Sequence, residues 1–411
     1  MEGPRRLKAP SIRLRKGSLL MASGYVSSNN NRLYVASEAN YGQVPVIQSS
    51  NRIPAVKFAP RQQLNNPARK DKTGTRTYLG TPSGLRKQTT FDLSTYMTGW
   101  ATQNGEPAYG PLFQAGLGAA PMPFAGGTSA GNANPMLVTF AAAHQLSPGQ
   151  AVTFGDEIRF VTAVVDTLTV GLNAPFTVNP SVGSPIGTTV TYQPGSDLGS
   201  VSVFDYWDPA TAVQRILSGG AVDKIQIKIN GDYQEFDFSG TGQDLIDSTS
   251  FSAGDGELTQ FPAEPALAQF DYTIIPGNLG EAWLDNTPDQ FYTVTSATVS
   301  VQNGIQTRSN EFGSDMPLCI APGMRTVTVD VTLFELNDAA TQSLYQAAKQ
   351  ISPVAVMFQL GQQQGQLFGV YLKSVVPQLP QFDDSETRLQ WKFATCRAQG
   401  SGDDEIYIAF G

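Results

Sequence analysis

Lys87-Gln88-Thr89-Thr90-Phe91-Asp92-Leu93-Ser94-Thr95-Tyr96 returns later in the chain as Arg325-Thr326-Val327-Thr328-Val329-Asp330-Val331-Thr332-Leu333-Phe334. Both stretches read as base, two residues, Thr, apolar, Asp, apolar, hydroxyl, any residue, aromatic. A period of two belongs to a strand with one buried and one wet face. In the first copy Thr89, Phe91, Leu93, Thr95 and Met97 are expected on one face, and Thr90, Asp92, Ser94 and Tyr96 on the other. A second shared element follows, Leu112-Phe113-Gln114-Ala115-Gly116 against Leu344-Tyr345-Gln346-Ala347-Ala348. The third is Lys224-Ile225-Gln226-Ile227-Lys228-Ile229 against Arg388-Leu389-Gln390-Trp391-Lys392-Phe393. Three elements in one order predict an internal duplication, because self-similarity is the mark of repeated architecture.

The 411 residues can bury more than one core. With 40 Gly, 27 Pro and only 15% charged residues, the composition favours strands and turns over helices. No apolar run reaches the roughly 18 residues of a membrane-spanning helix. Leu19-Leu20-Met21 is too short for a signal-peptide core, so synthesis inside the cell is expected, with Met21 as an alternative start. Cys319 and Cys396 have the spacing of neither a disulfide framework nor a zinc site and read as buried apolar residues. The net charge of −8 is unevenly spread: residues 1–90 carry +13 and the rest −21. A basic arm lying on an acidic body is the reading, since opposite fields steer association.

Taken in order, residues 1–40 form a basic N-terminal tail or arm and 41–137 the first part of module 1. Within the latter, Val44 to Ile47 and Ile53 to Phe58 read as edge strands or an extended arm because of their prolines, and Asn65 to Gly84 as a polar, basic loop; the whole of 40–84, like 303–323, is expected to be ordered by a neighbouring subunit. Residues 138–197 form an inserted small β domain, with short β runs at Ala151 to Phe154, Arg159 to Val165 and Leu168 to Val170. It is expected to stand apart, to project outward and to be dispensable for assembly. Module 1 resumes at 198–250. There Asp208-Pro209 is expected to open a helix towards Leu217, and Asn230-Gly231-Asp232 to turn a hairpin. A connector covers 251–290. Module 2 occupies 291–399, with a loop at 303–323 and a helix capped by Asn337 or Asp338. Residues 400–411 read as an acidic C-terminal tail.

Catalytic chemistry finds little support. His144 is the single histidine, so no Ser/His/Asp or Cys/His constellation can be drawn. Gly240-Thr241-Gly242 lacks the third glycine and strand-to-helix setting of a dinucleotide site and reads as a loop. Asp383-Asp384 and Asp403-Asp404-Glu405 read as solvated carboxylates. The chain is therefore read as a non-enzyme without metal or cofactor.

Residues 290–399 resemble the major tail tube proteins of long-tailed (siphovirus-like) bacteriophages. The resemblance rests on Tyr292-Thr293-Val294-Thr295-Ser296-Ala297-Thr298-Val299-Ser300-Val301, on the loop Arg308-Ser309-Asn310-Glu311-Phe312-Gly313-Ser314-Asp315, and on Pro322-Gly323-Met324-Arg325 with its strand and helix. It extends to 85–118 and 200–240 through the duplication and omits the insertion. The insertion's opening, His144 to Phe154, resembles small β modules of phage structural proteins. The resemblance implies a mainly β fold of two β-sandwich or barrel modules, each with a flanking α-helix, plus the small inserted β domain. It also implies a structural virion protein, made in the host cytoplasm, whose strands join those of neighbours into rings. The rings stack into a hollow tail tube that conducts DNA without binding it specifically. With two modules per chain, a trimer of pseudo-six-fold symmetry is favoured and a hexamer is the alternative. Other tail proteins, including the tape measure, are the implied partners. Thr90, Asp92, Ser94, Thr328, Asp330 and Thr332 are expected to face the lumen. Arg69, Lys70, Lys72, Arg76, Arg308, Glu311, Phe312 and Asp315 are expected in inter-subunit loops. Lys224, Lys228, Arg388 and Lys392 would hold DNA on such a face unless Asp92 and Asp330 neutralise them. A baseplate or adhesive component, whose inserted domain binds host glycan or protein, is the other function considered.

Overall fold

A computed structural model describes residues 25–65, 70–78, 80, 85–99, 106–267, 273–284, 289–385 and 387–411. The chain is mainly β, and most of its strands belong to one antiparallel network. Module 1 begins with β1 (Asn31–Ser37), β2 (Arg52–Ile53), β3 (Ala55–Leu64), β4 (Lys87–Tyr96) and α1 (Gly110–Leu117). The insertion supplies β5 (Met122–Phe124), β6 (Gly127–Thr128), β7 (Leu137–Thr139), β8 (Ala151–Phe154), β9 (Glu157–Val164), β10 (Thr169–Leu172), β11 (Pro185–Ile186) and β12 (Thr189–Tyr192). Module 1 then resumes with β13 (Val201–Trp207), β14 (Arg215–Ile229), β15 (Glu235–Gly242) and β16 (Asp244–Asp247). Module 2 comprises β17 (Gly280–Leu284), β18 (Asp289–Gln290), β19 (Val294–Gln302), β20 (Gln306–Thr307), β21 (Ile320–Ala321), β22 (Thr326–Phe334) and α2 (Ala339–Gln350). It continues with β23 (Val354–Leu360), β24 (Phe368–Val376), β25 (Gln381–Asp383), β26 (Gln390–Ala398) and β27 (Tyr407–Phe410).

The pairing scheme occurs twice. In module 1, β1 pairs with β2 and β13, β13 with β14, β14 with β15 and β16, and β4 with β3 and β15. In module 2, β17 pairs with β18 and β23, β23 with β24, β24 with β26 and β27, and β22 with β19 and β26. The repeated strands β4 and β22 hold equivalent places, as do the helices that follow them. The third element matched in the sequence is off by one strand: β26 corresponds to β15, whereas Lys224 to Ile229 lies on β14. A period of two fits any two-faced strand, so alternation alone could not separate neighbours.

Each module has a front and a back layer. The front strands run β3-β4-β15-β14-β19-β22-β26 without interruption from module 1 into module 2, because the distal half of β14 pairs with β19. Their inner faces, with Phe91, Leu93, Ile225, Ile227, Phe236, Phe238, Val299, Val301 and Val329, share one core with the back strands and both helices. Buried apolar area of this kind contributes about 25 cal/mol per Å². At the centre lies Phe113 of α1, whose ring meets Phe236 and Phe238 of module 1 at 5.1 Å each, and Phe410 of module 2 at 5.5 Å. Gly116 lets the helix approach β14, since a Cβ there would stand 2.6 Å from Ile225 Cδ1. Asn303 of module 2 donates its amide to the carbonyls of Gly116 and Val222, at 2.8 and 3.0 Å, pinning the two modules together.

Several sequence expectations need correction. β1 lies inside the stretch read as an arm, whereas β2 and β3 stand where Ile53 to Phe58 reads as an edge strand, with β3 running on to Leu64. β17 and β18 lie inside the stretch read as a connector. The expected helix after Asp208-Pro209 is replaced by a turn and β14. Gly240 and Gly242 lie on β15, not in a loop, and a Cβ at Gly240 would stand 1.9 Å from the Ala221 carbonyl oxygen. The acidic tail ends as β27, buried between β24 and β12. Cys396 is buried but Cys319 only partly so. The hairpin and the helix hold as read: Ile227 faces Phe236, and the Asp338 side chain accepts from Thr341 N at 2.7 Å.

The insertion spans 118–200, since β5 pairs with β12 and β6 with β11. It takes the place of residues 351–353 in module 2. It has a small core of its own around Val138, Phe140, Val152, Val161 and Val170. It does not stand apart, however. Ala151, Ile158 and Phe160 pack against Trp283, Met357, Leu367, Tyr371 and Tyr407 on the outer face of the back of module 2. Within this contact Arg159 is fully buried, paired with Glu157 at 2.6 Å and Glu281 at 3.0 Å. The corresponding face of module 1, with Tyr34, Phe204, Tyr206, Ile216 and Ile246, is covered by Val44, Ile47, Phe251, Leu258 and Phe261. Arg32 holds that cover through Glu264, to which its Nη2 donates at 2.7 Å.

Candidate functional site

The outer face of the front layer is the candidate site. Alternation on β4 and β22 buries Phe91, Leu93, Val329 and Val331 and turns Thr90, Asp92, Ser94, Thr328, Asp330 and Thr332 outward. The six expected lumen residues therefore share one face of one sheet. Between them lie Ser239 and Thr241 of β15, Lys224 and Gln226 of β14, and Thr298 and Ser300 of β19, linked by cross-strand register. Asp92 stands opposite Ser239, Lys224 opposite Ser239 and Gln302, and Asp330 opposite Thr298.

Two of the bases on this face are balanced by partners other than those expected, and Arg388 lies over the Phe334 ring at 5.5 Å. Lys228 pairs with Asp237 at 2.7 Å, and Ser94 donates to the same carboxylate at 2.5 Å. Hydrogen bonding to Asp237 raises the Lys228 pKa. Lys392 pairs with Asp383, whose pKa is held well below the ordinary carboxylate range by that ammonium and by Ser385. Asp330 instead accepts from the backbone N of Thr395 at 2.5 Å. Thr395 has φ 53° at a bulge between β22 and β26, so the carboxylate steadies an unfavourable backbone turn. Asp237 carries no mark in the sequence and Asp383 reads there only as a solvated carboxylate, because which residues stand beside a lysine depends on register.

The loops at one end of this face bring the remaining expected residues together in part. Lys70, Lys72 and Arg76 are exposed on the loop between β3 and β4. Arg69 lies outside the described residues. Arg308 and Glu311 pair with each other, Phe312 is fully exposed, and the Asp315 carbonyl accepts from Lys87 N at 2.7 Å. Arg86 adds hydrogen bonds to the Asn310 side chain and carbonyl, each 3.1 Å. The module 2 loop is thus tied to module 1 of its own chain and leaves Phe312 as its projecting apolar group.

Both ring nitrogens of His144 serve the insertion's own turn, with Leu146 N at 2.8 Å and the Asp166 carbonyl at 3.0 Å. Among the described residues no group of three His, Cys, Asp or Glu side chains is placed to hold a metal, and no helix is long and apolar enough to cross a membrane. No protein-family model matches the chain, and no curated protein is similar to it.

Proposed function

We propose that this protein is a structural, ring-forming subunit of a phage tail tube. It assembles with copies of itself, stacks as rings, and lines a conduit through which DNA passes without specific binding. The observation that carries the reading is the doubled pairing scheme, which yields one continuous sheet with a hydroxyl- and amide-rich face on one side and a packed core on the other. A wall needs such a sheet, with a wet side and a dry side, and closure into a ring removes edges that would otherwise aggregate. Two lysines of the wet face, Lys228 and Lys392, are paired with carboxylates, which limits the counterion release that pins a polyanion. The insertion covers the opposite side of module 2, away from this face. Two modules per chain favour three chains per ring, with exact three-fold and approximate six-fold symmetry. On this reading the chain acts in the virion, beside other tail proteins including the tape measure, after synthesis in the host cytoplasm, and it is not an enzyme.

Electron microscopy of the purified protein, reconstructed without imposed symmetry, tests this directly. Rings or tubes of uniform bore with three chains per ring are expected. A persistent monomer overturns the reading, and a six-chain ring overturns the three-chain form of it. A baseplate or adhesive role draws support from the exposed Val165, Val178 and Val182 of the insertion. Binding of glycan by a monomer would favour that role.

A further inference from the structure

Inside the chain, module 1 meets module 2 where the distal half of β14 lies antiparallel to β19, with Gln226 opposite Ser300, Ile227 opposite Val299 and Lys228 opposite Thr298. The repeat identifies what stands at the same places at the two ends of the front layer. Thr90 and Thr328 are equivalent, and they face Arg61 of β3 and Ser300 of β19. Pro60 therefore corresponds to Val299, and Ala59 to Thr298. On the other side, β24 and β25 together follow the course of the single strand β14. Leu217 and Leu372 precede equivalent bulges, and Gly220 and Val375 follow them. Carried onward, Gln226 corresponds to Gln381, which faces Lys392 of β26 as Gln226 faces Asp237 of β15. Among the described residues, the outer edges of β3 and β25 have no strand partner.

We propose that β25 of one copy of this chain pairs antiparallel with β3 of a second copy, with Gln381 opposite Arg61, Phe382 opposite Pro60 and Asp383 opposite Ala59. The assignment rests on the ring-forming reading above and supplies its lateral contact. The edges are complementary in charge, since the exposed Asp384 follows β25, whose Asp383 is held by Lys392, and the exposed Lys57 and Arg61 lie on β3. They are also apolar where the internal junction is apolar. Phe382 is 57% exposed, whereas its counterpart Ile227, closed in by β19, is 0% exposed. The helices carry the same message independently. At the internal junction, α1 buries Leu112, Phe113, Ala115 and Leu117 against both modules. At the open end, α2 buries only Thr341, Leu344 and Ala348, and Tyr345, the counterpart of Phe113, stays half-buried. Pro60 and Pro380 lack N–H donors, so these edges offer fewer rungs than the internal junction and resist unselective pairing.

The test is the full chain carrying Arg61→Cys and Gln381→Cys in a Cys319→Ser background, oxidised and run on a non-reducing gel. Bands of two and three chains are expected, ending at three and collapsing on reduction. Their yield should be roughly tenfold above that of either single-cysteine variant, because a disulfide requires Cα atoms within about 7 Å. Arg61→Cys with Asp383→Cys, two residues out of register, should cross-link far less. Wild-type rings without these bands would overturn the pairing while leaving the proposed function standing. A wild-type protein that never assembles would overturn both. A charge-reversal pair gives a second route should the cysteine variant misfold. Arg61→Asp should shift the assembly to single chains, and adding Gln381→Lys, directly opposite, should restore it; failure of both effects counts against the pairing.

Discussion

Module 1 and module 2 share a strand order, a pairing scheme and a helix position, and differ in what shelters them. The helix of module 1 is enclosed between two modules, whereas that of module 2 keeps an open flank. The back of module 1 is covered by its own connecting segments, and the back of module 2 by a domain inserted into module 1. The difference shows that the repeat is not two domains in series. Each half supplies a surface that the other lacks, so the core is continuous across the junction.

The sharpest way to break this comparison is to make the modules alike. Replacing residues 118–200 by a short link like residues 351–353 would expose Trp283, Met357, Leu367, Tyr371 and Tyr407 and strip β12 from β27. Loss of the folded, soluble chain is expected in thermal unfolding and size-exclusion measurements. A folded product with an unchanged melting temperature would show that the two backs are independent.

A smaller effect compares the helices. Phe113→Ala should cost about 3–5 kcal/mol, the usual range for a fully buried aromatic. Tyr345→Ala, at the half-buried equivalent, should cost about 1–2 kcal/mol in the isolated chain. Urea denaturation of both variants checks the gap, and equal losses would contradict the enclosure of α1.

Next come the paired aspartates of the wet face. Asp330→Lys removes the acceptor of Thr395 N at a strained bulge and should cost about 1–2 kcal/mol, as for a lost charged hydrogen bond. Asp92→Lys should stay within about 0.5 kcal/mol, typical of a surface substitution. Chemical denaturation separates them, and matching values would mean that the bulge does not depend on Asp330.

The smallest effect is shared by the modules. The hydroxyls of Ser250 and Thr249 lower the Asp247 pKa to about 2. For Asp404, burial pushes upward, but the Lys373 ammonium and the Ser401 and Gly402 amides prevail and lower it to about 2. A depressed carboxylate stabilises the fold above its unfolded pKa of about 3.9, and that stability is lost as pH falls towards 2. Asp247→Asn and Asp404→Asn should therefore each lower the melting temperature at pH 6 and match the parent near pH 2. A deficit that persists at pH 2 would assign the loss to packing.

The repeated strands were legible because strict alternation over ten positions fixes both element and face. The helix of module 2 was legible through the side-chain cap of Asp338. β1, β17 and β27 were hidden in stretches classified by charge or turn composition, since a short strand between polar neighbours has no signature until its partners arrive. Register decided the rest. Asp237 and Asp383 lie one hairpin strand away from Lys228 and Lys392, but which carboxylate meets which lysine depends on register, so Asp237 carried no mark and Asp383 read only as a solvated carboxylate, while the more conspicuous Asp92 and Asp330 turned out to do other work or to stand among hydroxyls.

β27 has a consequence for synthesis. Domains generally fold from the N-terminus as they emerge from the ribosome, yet here the insertion, the back of module 2 and the aromatic cluster at Phe113 all await Tyr407 to Phe410. A chain that stops short of Tyr407 leaves β12 and β24 with facing raw edges and the cluster around Phe113 unfilled. Residues 407–410 thus close three surfaces at once, so their loss is felt together in the insertion, the back of module 2 and the aromatic cluster.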